Sequence, residues 1–427
     1  MAAVTAAVET HRAIEAVWRI ESARLIAGLA RMMRDVGAAE ELAQDALVAA
    51  LEQWPESGVP DNPGAWLMAV AKRRAIDQFR RQERLERKVE EIGRDLETQV
   101  EPEPELDDIG DDLLRLVFTS CHPVLSTEAR VALTLRLLGG LTTDEIARAF
   151  LVPEPTVAQR IVRAKKTLAK KKVPFEVPQG AELSERLASV LEVVYLIFNE
   201  GYSATAGDDW MRPELCAEAL RLSRVLAQLA PKEPEVHGLV ALLEIQASRA
   251  RARTGPDGEP ILLLDQDRGR WDRLLIRRGL AALERAEALT DSLGPYALQA
   301  AIVACHARAR TAQETDWSRI ATLYGELNEV NPSPIVELNR AVAVSMADGP
   351  AAGLALVDRL AGEPALAKYH LLPSVRGDLL AKLGRHAEAC EEFTSAAGLT
   401  RNERERTLLL ERAERAAEKA GLSAPGG

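Results

Sequence analysis

Between Val157 and Val173 the chain carries seven Lys and Arg residues and no carboxylate. Guanidinium and ammonium groups at that density replace the counterions of a phosphate backbone, and an arginine can also donate two parallel hydrogen bonds to a base edge. Val157, Ile161, Ala164 and Leu168 recur at helical spacing, which puts Thr156, Gln159, Arg160, Arg163, Lys166 and Lys170 on the opposite side. A helix of this kind packs on its own domain through one face and presents the other to a phosphate-walled groove. The plain alternative is a solvated basic helix. A second basic stretch lies between Pro60 and Lys88, with eight Lys and Arg against four acids. Its expected buried side is Leu67, Val70, Ala71, Ala75 and Phe79, and Trp66, Arg73, Asp77, Arg80 and Arg84 share the other. An aromatic ring beside arginines suits unstacked bases. The competing readings are a core tryptophan near a helix start for Trp66 and a solvated face for the arginine row.

These residues need elements to hold them. Thr142 with Glu145 three residues on is a capping-box pattern, which predicts a helix through Phe150. Leu151-Val152-Pro153 breaks it, and Pro155 suits the first turn of the next helix, where a missing N–H costs nothing. The result is a helix-turn-helix. Upstream, residues 10–35 read as an amphipathic helix with Val17, Ile20, Leu25, Leu29 and Met32 inward, ended by Gly37. A helix over 38–54 buries Leu42, Ala46, Ala49 and Ala50 and turns Glu41, Gln44 and Asp45 outward. After a polar loop at 55–63 comes the basic helix, 64–88. Residues 89–112 then hold eleven acids against the single Arg94, which predicts a self-repelling, extended linker.

Composition agrees with helices nearly everywhere. The 427 residues are 47% hydrophobic but only 4% aromatic, and Val/Ile/Thr alternation is scarce, so the fold class expected is all-α over several domains. The net charge of −11 is uneven: residues 1–174 hold 25 Lys and Arg against 28 Asp and Glu, net −3, and the remainder carries −8. Local fields decide nucleic-acid binding more than the total does. The four cysteines are widely separated, as in a reduced, cytoplasmic protein. Cys121-His122 and Cys305-His306 are adjacent pairs, a poor spacing for metal. No metal, cofactor or catalytic group is expected, because no nucleophile–base pair or Walker loop occurs. No apolar run of membrane-spanning length or signal-peptide core occurs either, so no membrane partner is expected.

The order of these elements resembles the bacterial extracytoplasmic-function sigma factors, RNA polymerase specificity subunits of the sigma-70 family. The string AEELAQDALVAALEQW resembles the region 2 helix that grips the clamp helices of the polymerase largest subunit, which implies that role for Glu41, Gln44 and Asp45. NPGAWLMAVAKRRAIDQFRR resembles the helix that melts and reads the −10 promoter element, implying contacts from Asn62, Trp66, Arg73, Asp77, Arg80 and Arg84. DEIARAFLVPEPTVAQRIVRAKKTL resembles the region 4 helix-turn-helix, implying −35 contacts from Thr156, Gln159, Arg160, Arg163, Lys166 and Lys170. The acidic linker matches a segment that lies along the RNA path. Two departures stand out: Leu151 sits where the family commonly has glycine and Pro155 where a small residue is usual, so a turn of different shape is expected.

The second half exceeds a minimal sigma factor. ELSERLASVLEVVYLIFNEGYSAT resembles the opening of the long extension in one sigma subgroup. Successive helices are expected at 213–231, 235–252, 270–289 and 294–310, and the segments 331–360 and 377–416 resemble tetratricopeptide repeats, which bind peptides or proteins. Asn199, Glu200, Tyr202 and the string DQDRGRW (265–271) have two open readings, a ligand pocket or capping and inter-helix hydrogen bonds. The expected plan is region 2 at 1–88, linker 89–112, region 4 at 113–173, linker 174–182 and extension 183–427. The implied partners are core RNA polymerase, promoter DNA and a protein or peptide for the extension, with the extension regulating activity in cis. The rival is a free-standing helix-turn-helix regulator with a sensing repeat domain.

Overall fold

The computed structural model describes residues 2–89, 106–150, 152–204, 211–255 and 259–421, with side-chain surroundings throughout except at 2–9, 81–89, 106–110 and 181. Within these residues the chain is all-helical: its only extended pairing is one isolated bridge, Thr254 to Pro260. It divides into two compact units, Met1–Val194 and Tyr195–Gly427.

In the first unit, α1 (Ala2–Met33) packs on α2 (Val36–Ser57), α3 (Pro63–Val89) and α4 (Leu106–Ser120). Ile14, Leu25, Ile26, Leu29 and Ala30 form its buried seam. Ile20 and Met32, expected inward, are 65% and 38% exposed, because the buried stripe drifts past them along so long a helix. The break after α1 also differs from expectation. It falls at Arg34 (φ 52°) and Asp35, whose carboxylate accepts from Gly37 N at 2.7 Å and Ala38 N at 3.0 Å. Gly37 therefore lies in the first turn of α2, where a side-chain cap has already opened the helix. The buried face of α2 is the expected one, with Leu42, Ala46, Ala49 and Ala50 all inside.

Residues 90–105, most of the stretch read as an acidic linker, lie outside the described residues, as does Leu151 of the turn. α4 starts at Leu106, so the end of that stretch is helical, and Asp112 is buried with Arg31 at 3.4 Å and Arg115 at 2.6 Å. α5 (Thr127–Leu137) is capped by Ser126, and α6 (Thr143–Phe150) and α7 (Glu154–Lys170) complete the unit with the first residues of α8 (Ala181–Tyr202).

The second unit continues through α9 (Pro213–Leu229), α10 (Pro234–Ala247), α11 (Arg273–Leu289), α12 (Pro295–Arg308) and α13 (Trp317–Val330), the last not anticipated from sequence. α14 (Pro334–Asp348), α15 (Pro350–Leu360), α16 (Leu371–Lys382), α17 (His386–Leu399) and α18 (Glu403–Ala420) follow, each packing mainly on its chain neighbours. Sequential helix hairpins of this kind are how helical repeats build a core. One core gathers Leu242, Trp271, Leu283, Ile302 and Leu323, the other Leu354, Val357, Leu380, Phe393 and Leu409. Gly384 turns α16 into α17 at φ +78°, a conformation costly for any residue with a Cβ.

Candidate nucleic-acid interface

The capping box at the head of α6 forms reciprocally: Thr142 N donates to Glu145 Oε2 at 2.7 Å, and Glu145 N donates to Thr142 Oγ1 at 3.1 Å. Pro153 occupies the N-cap of α7, and Pro155 lies in the first turn. Val157, Ile161, Ala164 and Leu168 are all buried, against α5 and α6. Gln159, Arg163, Lys166 and Lys170 are exposed, while Thr156 and Arg160 are half-buried. Arg160 acts on Glu128, whose carboxyl is held below the usual range by its own backbone N–H, then by the Ser126 hydroxyl and then by the arginine. The outer face is thus a cationic row with hydrogen-bonding side chains, able to hold phosphates and read base edges. Lys165 is different. It is half-buried and turned toward α2.

Along α3, Leu67, Ala71 and Ala75 are buried and Val70 is half-buried, but Phe79 is 41% exposed, contrary to expectation. The helix outruns its partners there: every residue from Ile76 to Arg80 is exposed. Arg73, Asp77 and Arg80 lie open to solvent, and the Arg84 side chain lies outside the described residues. Asn62 Oδ1 accepts from Ala65 N at 3.1 Å, so it caps the helix. Trp66 is half-buried and meets the buried Trp54 edge-on, with centroids 5.3 Å apart. That contact anchors the indole and leaves part of it uncovered.

On α2, Glu41 and Asp45 are exposed, and Asp45 sits 3.3 Å from Arg74 of α3. Gln44 is half-buried and donates to Glu40 at 2.5 Å. Glu40 itself was not singled out from sequence. It is 2% exposed and accepts from Arg136 Nε at 2.7 Å. An acid between apolar positions reads as outward-facing when its cation stands 96 residues away.

In the second unit, Tyr202 stacks on Phe198 at 5.5 Å, and the Arg253 guanidinium lies 3.5 Å from its centroid. Glu200 pairs with Arg212, and Asn199 hydrogen-bonds Tyr195. Gly201 is required by closeness: a Cβ there would lie 2.6 Å from Cys216 N. Asp267 caps its own turn at 2.8 Å to Gly269 N, while Arg268 and Trp271 are buried. Asn199 and Tyr202 thus meet partners on their own helix, α8, while Glu200 ties α8 to Arg212, the residue before α9. Arg249, missed in the sequence, joins the strings: its guanidinium lies 5.7 Å from the Tyr202 ring and 5.9 Å from that of Trp271. Among the described residues no cluster of possible metal ligands occurs, and no helix is long and apolar enough to cross a membrane.

Three family models match the chain. Residues 20–85 match sigma-70 region 2, residues 115–168 match sigma-70, region 4, and residues 186–287 match a family of unknown function, DUF6596. An uncharacterized protein of Rhizobium meliloti (strain 1021) is 45% identical over 390 residues, 88% of this chain and 89% of that protein. The ECF RNA polymerase sigma factor SigK of Mycobacterium sp. (strain KMS) is 27% identical over 157 residues, 35% of this chain and 77% of its own. SigK of Mycobacterium tuberculosis (strain ATCC 25177 / H37Ra) is 29% identical over 143 residues, 32% of this chain and 74% of its own.

Proposed function

Since the chain belongs to the extracytoplasmic-function group of the sigma-70 family and carries a helical extension beyond its region 4, we propose that it recognises −35 and −10 promoter elements and opens DNA as part of an RNA polymerase holoenzyme, with the extension regulating that activity in cis. The exposed row Gln159, Arg163, Lys166 and Lys170, with Thr156 and Arg160 at its edge, serves the −35 element. Arg73, Asp77, Arg80 and Arg84 serve the −10 element beside Trp66, with Asn62 fixing the start of their helix. Glu41, Gln44 and Asp45 dock on the clamp helices of the polymerase largest subunit.

The observation that carries this reading is the co-occurrence of two basic, solvent-facing helices inside the two matched sigma regions, in sigma order. A free-standing regulator would leave the region 2 match and the outward acids of α2 without a use. The extension is charged −8 beyond residue 174, a poor surface for DNA, and its helix hairpins suit a protein or peptide contact. Run-off transcription with core polymerase on genomic fragments tests the proposal. Specific initiation dependent on this protein supports it, and its absence, with core polymerase active alongside another sigma factor, overturns it.

A further inference from the structure

Arg249 and Arg268 are each 7% exposed, and both stand against the buried Trp271 ring, their guanidinium carbons 5.9 and 5.1 Å from its centroid. All three residues come from the turns between α10 and α11, where Asp272 N donates to Ser248 O at 2.8 Å and pins the two ends of the connection together. The pair has no counter-charge. The one hydrogen-bond partner of Arg249 among the described residues is the amide oxygen of Gln246. Arg268 bonds the carbonyls of His306 and Ala309 and the Thr315 hydroxyl, all of them neutral. Burial and then Arg249 lower the pKa of Arg268, with Glu314 opposing them, as two like charges held together out of water require.

A buried cation without a carboxylate beside it is costly. The neighbouring Arg253 is compensated by face contact with Tyr202, at 3.5 Å from the ring centroid. Arg249 reaches Tyr202 and Trp271 only near the outer limit of a cation–π contact, at 5.7 and 5.9 Å. A shortage of acids is not the reason, since the chain beyond residue 174 carries −8. Three buried nitrogens of this cluster also lack a partner: Arg249 Nε, Trp271 Nε1 and His306 Nδ1. All three residues are more than nine-tenths buried. The first two nitrogens are fixed N–H donors, and the imidazole nitrogen is a third when it carries the ring proton. His306 belongs to the cluster because Arg268 bonds its carbonyl at 2.7 Å and both arginines bear on its ring. Two like charges with spare donors are the complement of an oxyanion.

We propose that the second unit binds an oxyanion, a phosphate or a carboxylate group, at this cluster. Arg249 is its charged anchor, and Trp271 Nε1 and His306 Nδ1 donate beside it. Arg268 keeps its backbone partners and supplies the second positive charge. Arg249, Arg268 and Trp271 lie within residues 186–287, the segment that matches a family of unknown function, so that segment gains a ligand class. Binding neutralises a repelling pair, and it therefore stabilises the folded unit.

The test follows the thermal midpoint of the full-length protein in chloride buffer at constant ionic strength. One series is titrated with inorganic phosphate and the other with acetate. The parent's midpoint rises saturably, by about 5 °C at a hundred times the half-saturating concentration. A rise with phosphate alone assigns a phosphate group, a rise with acetate alone a carboxylate, and a rise with both the shared chemistry. Arg249→Met separates a ligand anchor from a structural arginine. It removes an unpaired buried charge, so in chloride its midpoint equals or exceeds the parent's, and the anion response disappears. Trp271→Phe keeps a ring but loses the N–H, and it raises the half-saturating concentration by about fivefold or more. A parent midpoint that behaves in both series as in chloride overturns the proposal, as does a saturable rise that both variants retain unchanged. An Arg249→Met midpoint below the parent's in chloride also overturns it, because the arginine then serves the fold.

Discussion

Arg268 donates from its guanidinium to the carbonyl of His306, 38 residues away, at 2.7 Å. The same Nη1 reaches Ala309 O at 2.9 Å, Nη2 reaches Thr315 Oγ1 at 2.9 Å, and the group lies 5.1 Å from the centroid of the Trp271 ring. One buried fork thus closes the C-terminal end of α12, where backbone carbonyls lack helical partners. Arg268→Met should leave those acceptors unpaired and cost about 3 kcal/mol, lowering the thermal midpoint of the extension by roughly 10 °C. Lysine should restore little, because a point charge cannot serve three acceptors set apart. Calorimetry of the parent and both variants decides; midpoints within a degree of one another would remove Arg268 from this role.

His306 makes the extension sensitive to mild acid. Burial, then Arg249 and Arg268, lower its pKa from 6.5 to about 3. The folded imidazole stays neutral where the unfolded one takes up a proton. Its contribution is therefore complete above pH 6.5 and is lost as pH falls toward 3, by up to about 1.4 kcal/mol per pH unit. Urea midpoints measured from pH 7 to pH 5 should decline in the parent and flatten in His306→Gln. Equal slopes in the two proteins would mean that other groups set the dependence.

Replacing Arg160 or Arg163 by Ala should weaken promoter binding by the holoenzyme and leave core polymerase binding intact. A lost base-edge contact should cost about 1–3 kcal/mol and relax preference at one position, while a lost phosphate contact should weaken all sequences alike. Arg163, fully on the exposed row, should show the larger effect, because Arg160 is half-buried and shared with Glu128. Binding titrations on a promoter and its single-base variants separate these outcomes.

Charge reversal on α2 tests the polymerase contact. Glu41→Lys should abolish pull-down of core polymerase without disturbing the fold, since the residue is exposed. Asp45→Lys should do the same but places a cation beside Arg74, 3.3 Å from the present carboxylate, so a small loss of stability accompanies it. Unchanged pull-down of folded Glu41→Lys would remove α2 from the docking face.

What the sequence makes legible divides along a physical line. The Thr142–Glu145 box and the stripe from Val157 to Leu168 are local rules, complete within one or two turns, and both stand in the structure. Periodicity gives the direction of a face but not where its partner ends. Ile20 and Phe79 were expected inward for that reason and are exposed. Gly37 looked like the break after α1 because glycine weakens helices, yet the Asp35 cap outweighs it. The Glu40 network was invisible because its members come from three helices far apart in the chain, and no short-range pattern marks an acid as buried.

The sequence places a cut near Lys172, at the end of the basic helix, but the first residues of α8 belong to the first unit, which runs to Val194. Arg186 Nη2 donates to Phe118 O at 2.9 Å, Ser189 Oγ donates to Cys121 O at 2.6 Å, and Arg130 pairs with Glu192 at 3.0 Å. A chain ending at Lys172 loses all three and leaves two buried carbonyls unpaired, a loss of about 3 kcal/mol. A chain ending at Val194 keeps them and should melt several degrees higher. That longer chain is the proper comparison for regulation: it should bind core polymerase yet initiate at a different rate from the full-length protein. The rate rises if residues 195–427 inhibit and falls if they assist. Identical initiation across promoters and salt would strip the extension of the role in cis assigned to it.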